Sequence, residues 1–305
     1  MNEVFHAGER AIQQQTGEAH LADSLKGLIA PAIPRGAIRF VEQQSMAIVG
    51  SRNVAGELWA SLLVGQPGFV RVPDPGLVVF DTRKLISHPA DLFFSNIQDN
   101  PQVGSLFIEL ATRKRLRVNG AGHYDGTSIQ LEVAQAYPNC PKYIQRRVIS
   151  MPEYFEAVKS ITKTGEGLTT AFIDWIQEAD TLFVSSASAQ GDLDVSHRGG
   201  NPGFVQVIDH QVLKIPDYPG NSLFNTFGNI VENPAVGLLF VDFNQRQTLQ
   251  LTGTVQLLFD QNSETDLLRT KGTGRYWLFR PLHWIHTIDH HQVDWQLLDY
   301  SPYNP

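Results

Sequence analysis

The chain has 305 residues, 42% of them hydrophobic and 10% aromatic, enough for a substantial core and for two ordinary domains rather than one. A formal net charge of −7 removes the broad positive field that nonspecific binding to nucleic acid or anionic membrane requires, so any anionic ligand must be met by a local site. The single cysteine, Cys140, excludes an internal disulfide framework and a cysteine-based structural zinc site.

In chain order, residues 1–36 open on "MNEVFHAGERAIQQQ", which is charged and amphipathic where a secretory signal would be apolar. They read as a helical extension. Apolar runs such as "VGLLFVDF" reach only strand length, and the expectation is a soluble, cytoplasmic protein with no membrane or nucleic-acid partner. Residues 37–136 form a first β unit. Within it "TRKRLR" at Thr112 to Arg117 places Arg113, Arg115 and Arg117 on one side of a strand by the period of two. Residues 137–170, with "NCPKYIQRRVI" and "PEYFEAVKSI", read as a helical linker. Helical spacing there would gather Lys142, Arg146 and Arg147 into a phosphate or substrate patch.

Residues 171–305 form the second β unit and a C-terminal extension. "TLFVSSAS", "LDVSH", "FVQV" and "QVLKI" are strands separated by turns. After "PDYPGN", the stretch "SLFNTFGNIVEN" reads as a short helix capped near Asn221 or Ser222, with Leu223, Phe227 and Ile230 on one face. "AVGLLFVDF" and "TLQLTGTVQLL" return as strands. The tail from Tyr276 is expected to cover exposed edges, and its His283, His286, Asp289, His290 and His291 read as strand and turn residues rather than a metal site.

The two units are copies. "PGFV" occurs at Pro67 and again at Pro202, "NIQDNPQVGSLFIEL" from Asn96 resembles "NIVENPAVGLLFVDF" from Asn229, and "LRVNG" ending at Gly120 matches "LQLTG" ending at Gly253. Duplication therefore covers Ala37 to Tyr124 and Ala171 to Leu258, a period far too long for a solenoid unit. Each copy is expected to be a six-stranded antiparallel barrel interrupted by one helix. "NGAGHYDG" misses the last glycine of a dinucleotide fingerprint, and neither a phosphate-binding Lys-Ser/Thr loop nor a nucleophile elbow is present.

The order "GDLDVS", "PGFV", "PDYPGN", helix, "ENPAVGLLFVDF", "LTG" resembles the FMN-binding split barrels of the pyridoxamine 5′-phosphate oxidase-like superfamily, and "YPNCPKYIQRR" with "FHAGERAIQ" resembles a two-barrel bacterial branch of it. The resemblance implies a mainly β fold, tandem split barrels forming a pseudo-dimer, with FMN in the groove between them. It places Ser196, His197, Arg198 and Gly199 along the flavin. The phosphate would sit near Asn221, Ser222 and Asn225, with Arg115 reaching across from the first copy. The sequence lacks the arginine–lysine pair at the helix start and the C-terminal substrate-phosphate signature of the best-known oxidases, so a true pyridoxamine phosphate oxidase is not expected. A flavin carries its own redox chemistry, which accounts for the absence of a recognisable catalytic triad. The expected function is an FMN-dependent oxidoreductase acting on a small-molecule redox substrate, with room for a homodimer of such chains; Trp284 and Trp295 are read first as core packing and second as a roof over the pocket. The alternative is a flavin- or haem-binding protein without turnover.

Overall fold

The computed structural model describes residues 3–305. The chain begins with helices α1 (Ala7–Gln15), α2 (Ala19–Leu25) and α3 (Arg35–Glu42). Strands β1 (Met46–Arg52), β2 (Leu58–Val64), β3 (Val70–Asp74) and β4 (Leu77–Asp81) lead to helix α4 (Leu92–Asp99), then to β5 (Gln102–Glu109), β6 (Lys114–Tyr124) and β7 (Ser128–Pro138). The connection to the second copy carries β8 (Arg146–Ser150) and β9 (Ile161–Gly165). Helix α5 (Thr170–Glu178) opens the second copy, followed by β10 (Thr181–Ala187), β11 (Leu193–Gly199), β12 (Gln206–Asp209) and β13 (Val212–Pro216). Helix α6 (Asn225–Glu232), β14 (Ala235–Asp242), β15 (Gln247–Leu258), α7 (Glu264–Arg269), β16 (Tyr276–Ile288) and β17 (Asp294–Asp299) complete it.

The first sheet has the order β2-β1-β5-β6-β7-β4-β3 and the second β11-β10-β14-β15-β16-β13-β12, so each strand of one copy has its counterpart at the same place in the other. Pairing is antiparallel throughout. Each copy therefore has seven matched strands, not the six expected, because β7 and β16 lie beyond the stretch in which the two copies still match in sequence, and β9 adds an eighth to the second sheet. The tail from Tyr276 is not an edge cover: β16 is an inner strand, paired with β15 along its length, with β13 at its start and with β9 at its end.

The expected helical linker is also corrected. Residues 139–169 hold β8 and β9 and no helix, and β8 pairs with β17 from the far end of the chain. Such a partner, about 150 residues away, leaves no mark on local periodicity.

One core fills each barrel. Val49, Leu63, Phe80, Phe107, Val118 and Leu131 belong to the first, and Val184, Leu213, Phe240, Leu251, Trp277 and Phe279 to the second. The alternate residues of the same strands face outward and meet the other barrel: Ile48, Leu62 and Leu106 pack with Phe183, Val195 and Leu239 in a third buried cluster. The strands approach closely because each copy has glycine at one matched position. A Cβ on Gly104 would lie 2.9 Å from the Asp194 backbone of β11, and one on Gly237 would lie 2.6 Å from the Leu58 carbonyl of β2. Among the described residues no helix is long and apolar enough to cross a membrane.

Candidate functional site

At one end of the barrel contact the third cluster gives way to polar groups. Arg117 of β6 donates to Asp194 of β11 at 2.6 Å, and the same carboxylate accepts from Tyr137 Oη at 3.0 Å and Asn119 Nδ2 at 3.1 Å. Burial works against the Arg117 charge, but Asp194 and Tyr137 outweigh it and hold the guanidinium more firmly protonated than usual. Through Arg117 this network reaches a cleft formed by two adjoining cavities that share Arg117, Arg198, Tyr218, Gly220 and Asn221.

The first cavity also meets Arg115, Asn139, Lys142, Tyr143 and His197, and the second Asp217, Ser222, Asn225, Thr226 and Arg275. The cationic groups outnumber their carboxylate partners. Arg275 Nε donates to Asp217 at 2.9 Å, Arg198 lies 3.6 Å from the same carboxylate, and Glu18 of the α1–α2 connection accepts from Ser222 Oγ at 2.6 Å and from Arg275 at 3.3 Å. Arg115 has no carboxylate and donates instead to the Cys140 carbonyl at 3.0 Å; its burial, only partly offset by Cys140, lowers its pKa to about 10. Burial, partly opposed by Asp217, also lowers the Arg198 pKa. His197 is 4% exposed, and burial followed by repulsion from Arg115 and Arg198 keeps its imidazole neutral at ordinary pH. Six buried polar atoms here have no hydrogen-bond partner among the described residues: Arg117 Nε, Arg198 Nε, both ring nitrogens of His197 and both amide atoms of Asn139.

The sequence-expected residues separate into two groups. His197, Arg198, Gly199, Asn221, Ser222, Asn225, Arg115 and Lys142 all line the cleft, brought there by β11, the start of α6, β6 and the loop after β7. Ser196 does not line it: it lies on the same face of β11 as Arg198 but deeper, buried behind Thr226, whose hydroxyl donates to its Oγ at 3.1 Å. Gly199 serves close packing, since a Cβ there would run into the Tyr143 carbonyl. Arg146 is not on a helical face with Lys142; it starts β8 and pairs with Asp299, as does Arg113, which precedes β6 in a left-handed conformation. Helix α6 begins at Asn225 rather than near Asn221.

Trp284 and Trp295 do not roof the cleft. Trp284 packs on Phe172 and Trp295 on Phe243. His283 bonds Glu57, His286 bonds Gln247, and among the described residues no group of three or more His, Cys, Asp or Glu could hold a metal. Sequence reasoning passed over Asn139, Tyr143, Asp217, Tyr218 and Arg275. Asp217 and Tyr218 sit inside the quoted "PDYPGN", so that loop could have been weighed residue by residue; Arg275 and Asn139 carried no local signal.

The matched end of the other barrel shows what the cleft would be without these groups. Positions corresponding to His197, Arg198 and Gly199 are Leu62, Leu63 and Val64, and those of Arg115 and Arg117 are Thr248 and Gln250. Gln250 donates to the Ala60 carbonyl at 3.0 Å and to Ser61 Oγ at 2.9 Å, and Ser61 donates to Asp91 at 2.6 Å. Asp91 caps α4, its carboxylate accepting from the Phe93 N–H. Helix α6 has Phe224 at that place and no side-chain cap, which leaves the N–H groups of its first turn free.

Residues 168–278 match the family model described as pyridoxamine 5′-phosphate oxidase. No curated protein matches the chain. Similar solved structures include HupZ of Group A Streptococcus, 11% identical over 44% of this chain and 98% of its own, TM-score 0.32. A putative pyridoxamine 5′-phosphate oxidase from Lactobacillus delbrueckii is 15% identical over 39% and 93%, TM-score 0.32. The haem storage protein HutZ from Vibrio cholerae is 17% identical over 43% and 94%, TM-score 0.26. The family match lies on α5 through the start of β16, and with the antiparallel strand order it supports a split barrel of the pyridoxamine 5′-phosphate oxidase-like type for the second barrel.

Proposed function

We propose that the protein binds FMN in the cleft between its barrels and acts as an FMN-dependent oxidoreductase on a small-molecule substrate. The observation that carries this reading is the contrast between the two helix starts: α4 is closed by its own Asp91 carboxylate, whereas α6 is uncapped and faces Arg117, Arg198 and Arg275. Free N–H groups at the positive end of a helix, with guanidinium groups beside them, suit a phosphate dianion. Asn221 adds a side-chain amide on the same side, and Asn225 Nδ2, which gives one hydrogen to Glu9, has a second to offer; the Ser222 hydroxyl is already donated to Glu18.

The ring of the cofactor is assigned to the adjoining cavity, along the backbone of His197 to Gly199, where the unpartnered atoms of His197 and Asn139 suit a ligand with both donors and acceptors. FMN when bound would supply hydride and electron transfer; the chain's own residues bind it, orient it and exclude water around it. The test is the absorption spectrum of the purified protein before and after adding FMN and removing the excess. Flavin bands should be retained. Arg198→Ala should weaken FMN retention by roughly tenfold or more, the scale of a lost charge-assisted hydrogen bond. A protein that holds no flavin refutes the reading. A haem band would favour the alternative, for which the free ring nitrogens of buried His197 are the specific observation.

A further inference from the structure

The loop from Asn139 to Tyr143 joins β7 to β8 and is held from four sides. Arg115 Nε donates to the Cys140 carbonyl, Tyr143 Oη donates to the Pro219 carbonyl at 3.0 Å, Gln145 donates to the Tyr143 carbonyl at 3.2 Å, and Gly199 leaves room for that carbonyl against β11. Gln145 is fully buried and also donates to the Gly200 carbonyl at 3.1 Å. The loop is therefore fixed relative to β11. Into the cleft it presents Asn139, whose amide nitrogen and oxygen are both buried without partners, and Lys142, which has no carboxylate within ion-pair reach among the described residues.

A phosphate or carboxylate would satisfy the cations here but not the rest. Such groups offer only acceptors, and would leave the Asn139 carbonyl and the acceptor nitrogen of neutral His197 facing more lone pairs. The unpartnered set needs a ligand edge that carries a donor beside acceptors, with electron-rich oxygen toward Arg115 and Lys142. A cyclic imide edge, C=O, N–H, C=O, has that pattern. It remains satisfied whichever way the Asn139 amide is turned.

We infer that Asn139, backed by Lys142 and Arg115, reads the imide edge of the bound ring, so that the site selects the pyrimidinedione of a flavin and not only its phosphate. This rests on the FMN reading above. Asn139 is a binding residue that neither the helix-start motif nor the glycine-rich strand announces.

The experiment compares FMN with 3-methyl-FMN, which keeps the phosphate and ring but has a methyl group in place of the imide hydrogen. Equilibrium titration by flavin fluorescence should show the unmodified protein binding FMN roughly tenfold or more tighter than the methylated cofactor, as expected when a buried acceptor loses its only donor. Asn139→Leu should bind the two within about twofold, and Asn139→Asp, which cannot offer a donor, should weaken FMN while keeping a preference for it. Equal affinity of the unmodified protein for both ligands overturns the inference while leaving the FMN reading standing, and this comparison needs no variant to fold. Undiminished discrimination in Asn139→Leu also overturns it. Retention of neither ligand by the unmodified protein sinks both readings together.

Discussion

Arg117 illustrates how one side chain serves both the fold and the site. It is buried, its charge is met by Asp194 from the other barrel, and its free Nε faces the cleft. Removing one member of a buried pair leaves the other charge without compensation, so Arg117→Met should destabilise the protein by about 3–5 kcal/mol, read as a lower urea midpoint. The paired variant Arg117→Met with Asp194→Leu should recover much of that loss yet still bind FMN poorly. Arg198 was legible in the sequence because a charged residue and glycines interrupt an apolar strand. Asn139 was not, since an asparagine before a proline-containing loop is ordinary, and only the folded chain shows that both its amide atoms are buried and unpaired.

Helix α6 is positioned by α1, which comes from the other end of the chain. Glu232 accepts from the Gly8 N–H at 2.7 Å and lies 3.0 Å from His6 Nδ1, while Glu9 accepts from Asn225 Nδ2. Burial raises the Glu9 pKa, with His6 partly opposing it. Asn225→Asp would set a second carboxylate against Glu9 and against the incoming phosphate. FMN affinity should fall roughly tenfold and the thermal midpoint should drop, both measured on the same preparation. At this scale the sequence was legible where elements are local: the strands of the repeat and helix α6 follow from periodicity. It failed for β8, which was read as helix. "RRVI" becomes a strand only because β17 lies beside it. The extra strands β7 and β16 escaped notice because their residues diverged while their places in the sheet did not.

The molecule as a whole has near twofold symmetry in its backbone and none in its chemistry. One end of the barrel contact gathers cations around an open helix start, and the other buries Asp91, with His290 Nε2 4.0 Å from its carboxylate, and His291. Burial, and then the neighbouring His290, lowers the His291 pKa to about 3. His291 is thus neutral in the fold, while in the unfolded chain it titrates near 6.5. Its contribution to stability is complete above about pH 6.5 and is lost as pH falls toward 3, by up to about 1.4 kcal/mol per pH unit. Urea midpoints should therefore decline between pH 7 and pH 5, and His291→Leu should flatten that decline. The duplication and the barrel class were legible at this scale; the asymmetry of the two ends was only half visible, in the arginines of "TRKRLR" set against Thr248 and Gln250.

The covalent join between the barrels has a consequence for dilution. A cleft assembled from two separate subunits comes apart when the protein is scarce, and its ligand leaves with it. Here Arg117 and Arg198 belong to one polypeptide, so their encounter is intramolecular and independent of how many copies a cell contains. Flavin occupancy at a fixed excess of free FMN should stay constant from micromolar to nanomolar protein. A chain present at a few copies per cell would then hold its cofactor as firmly as an abundant one.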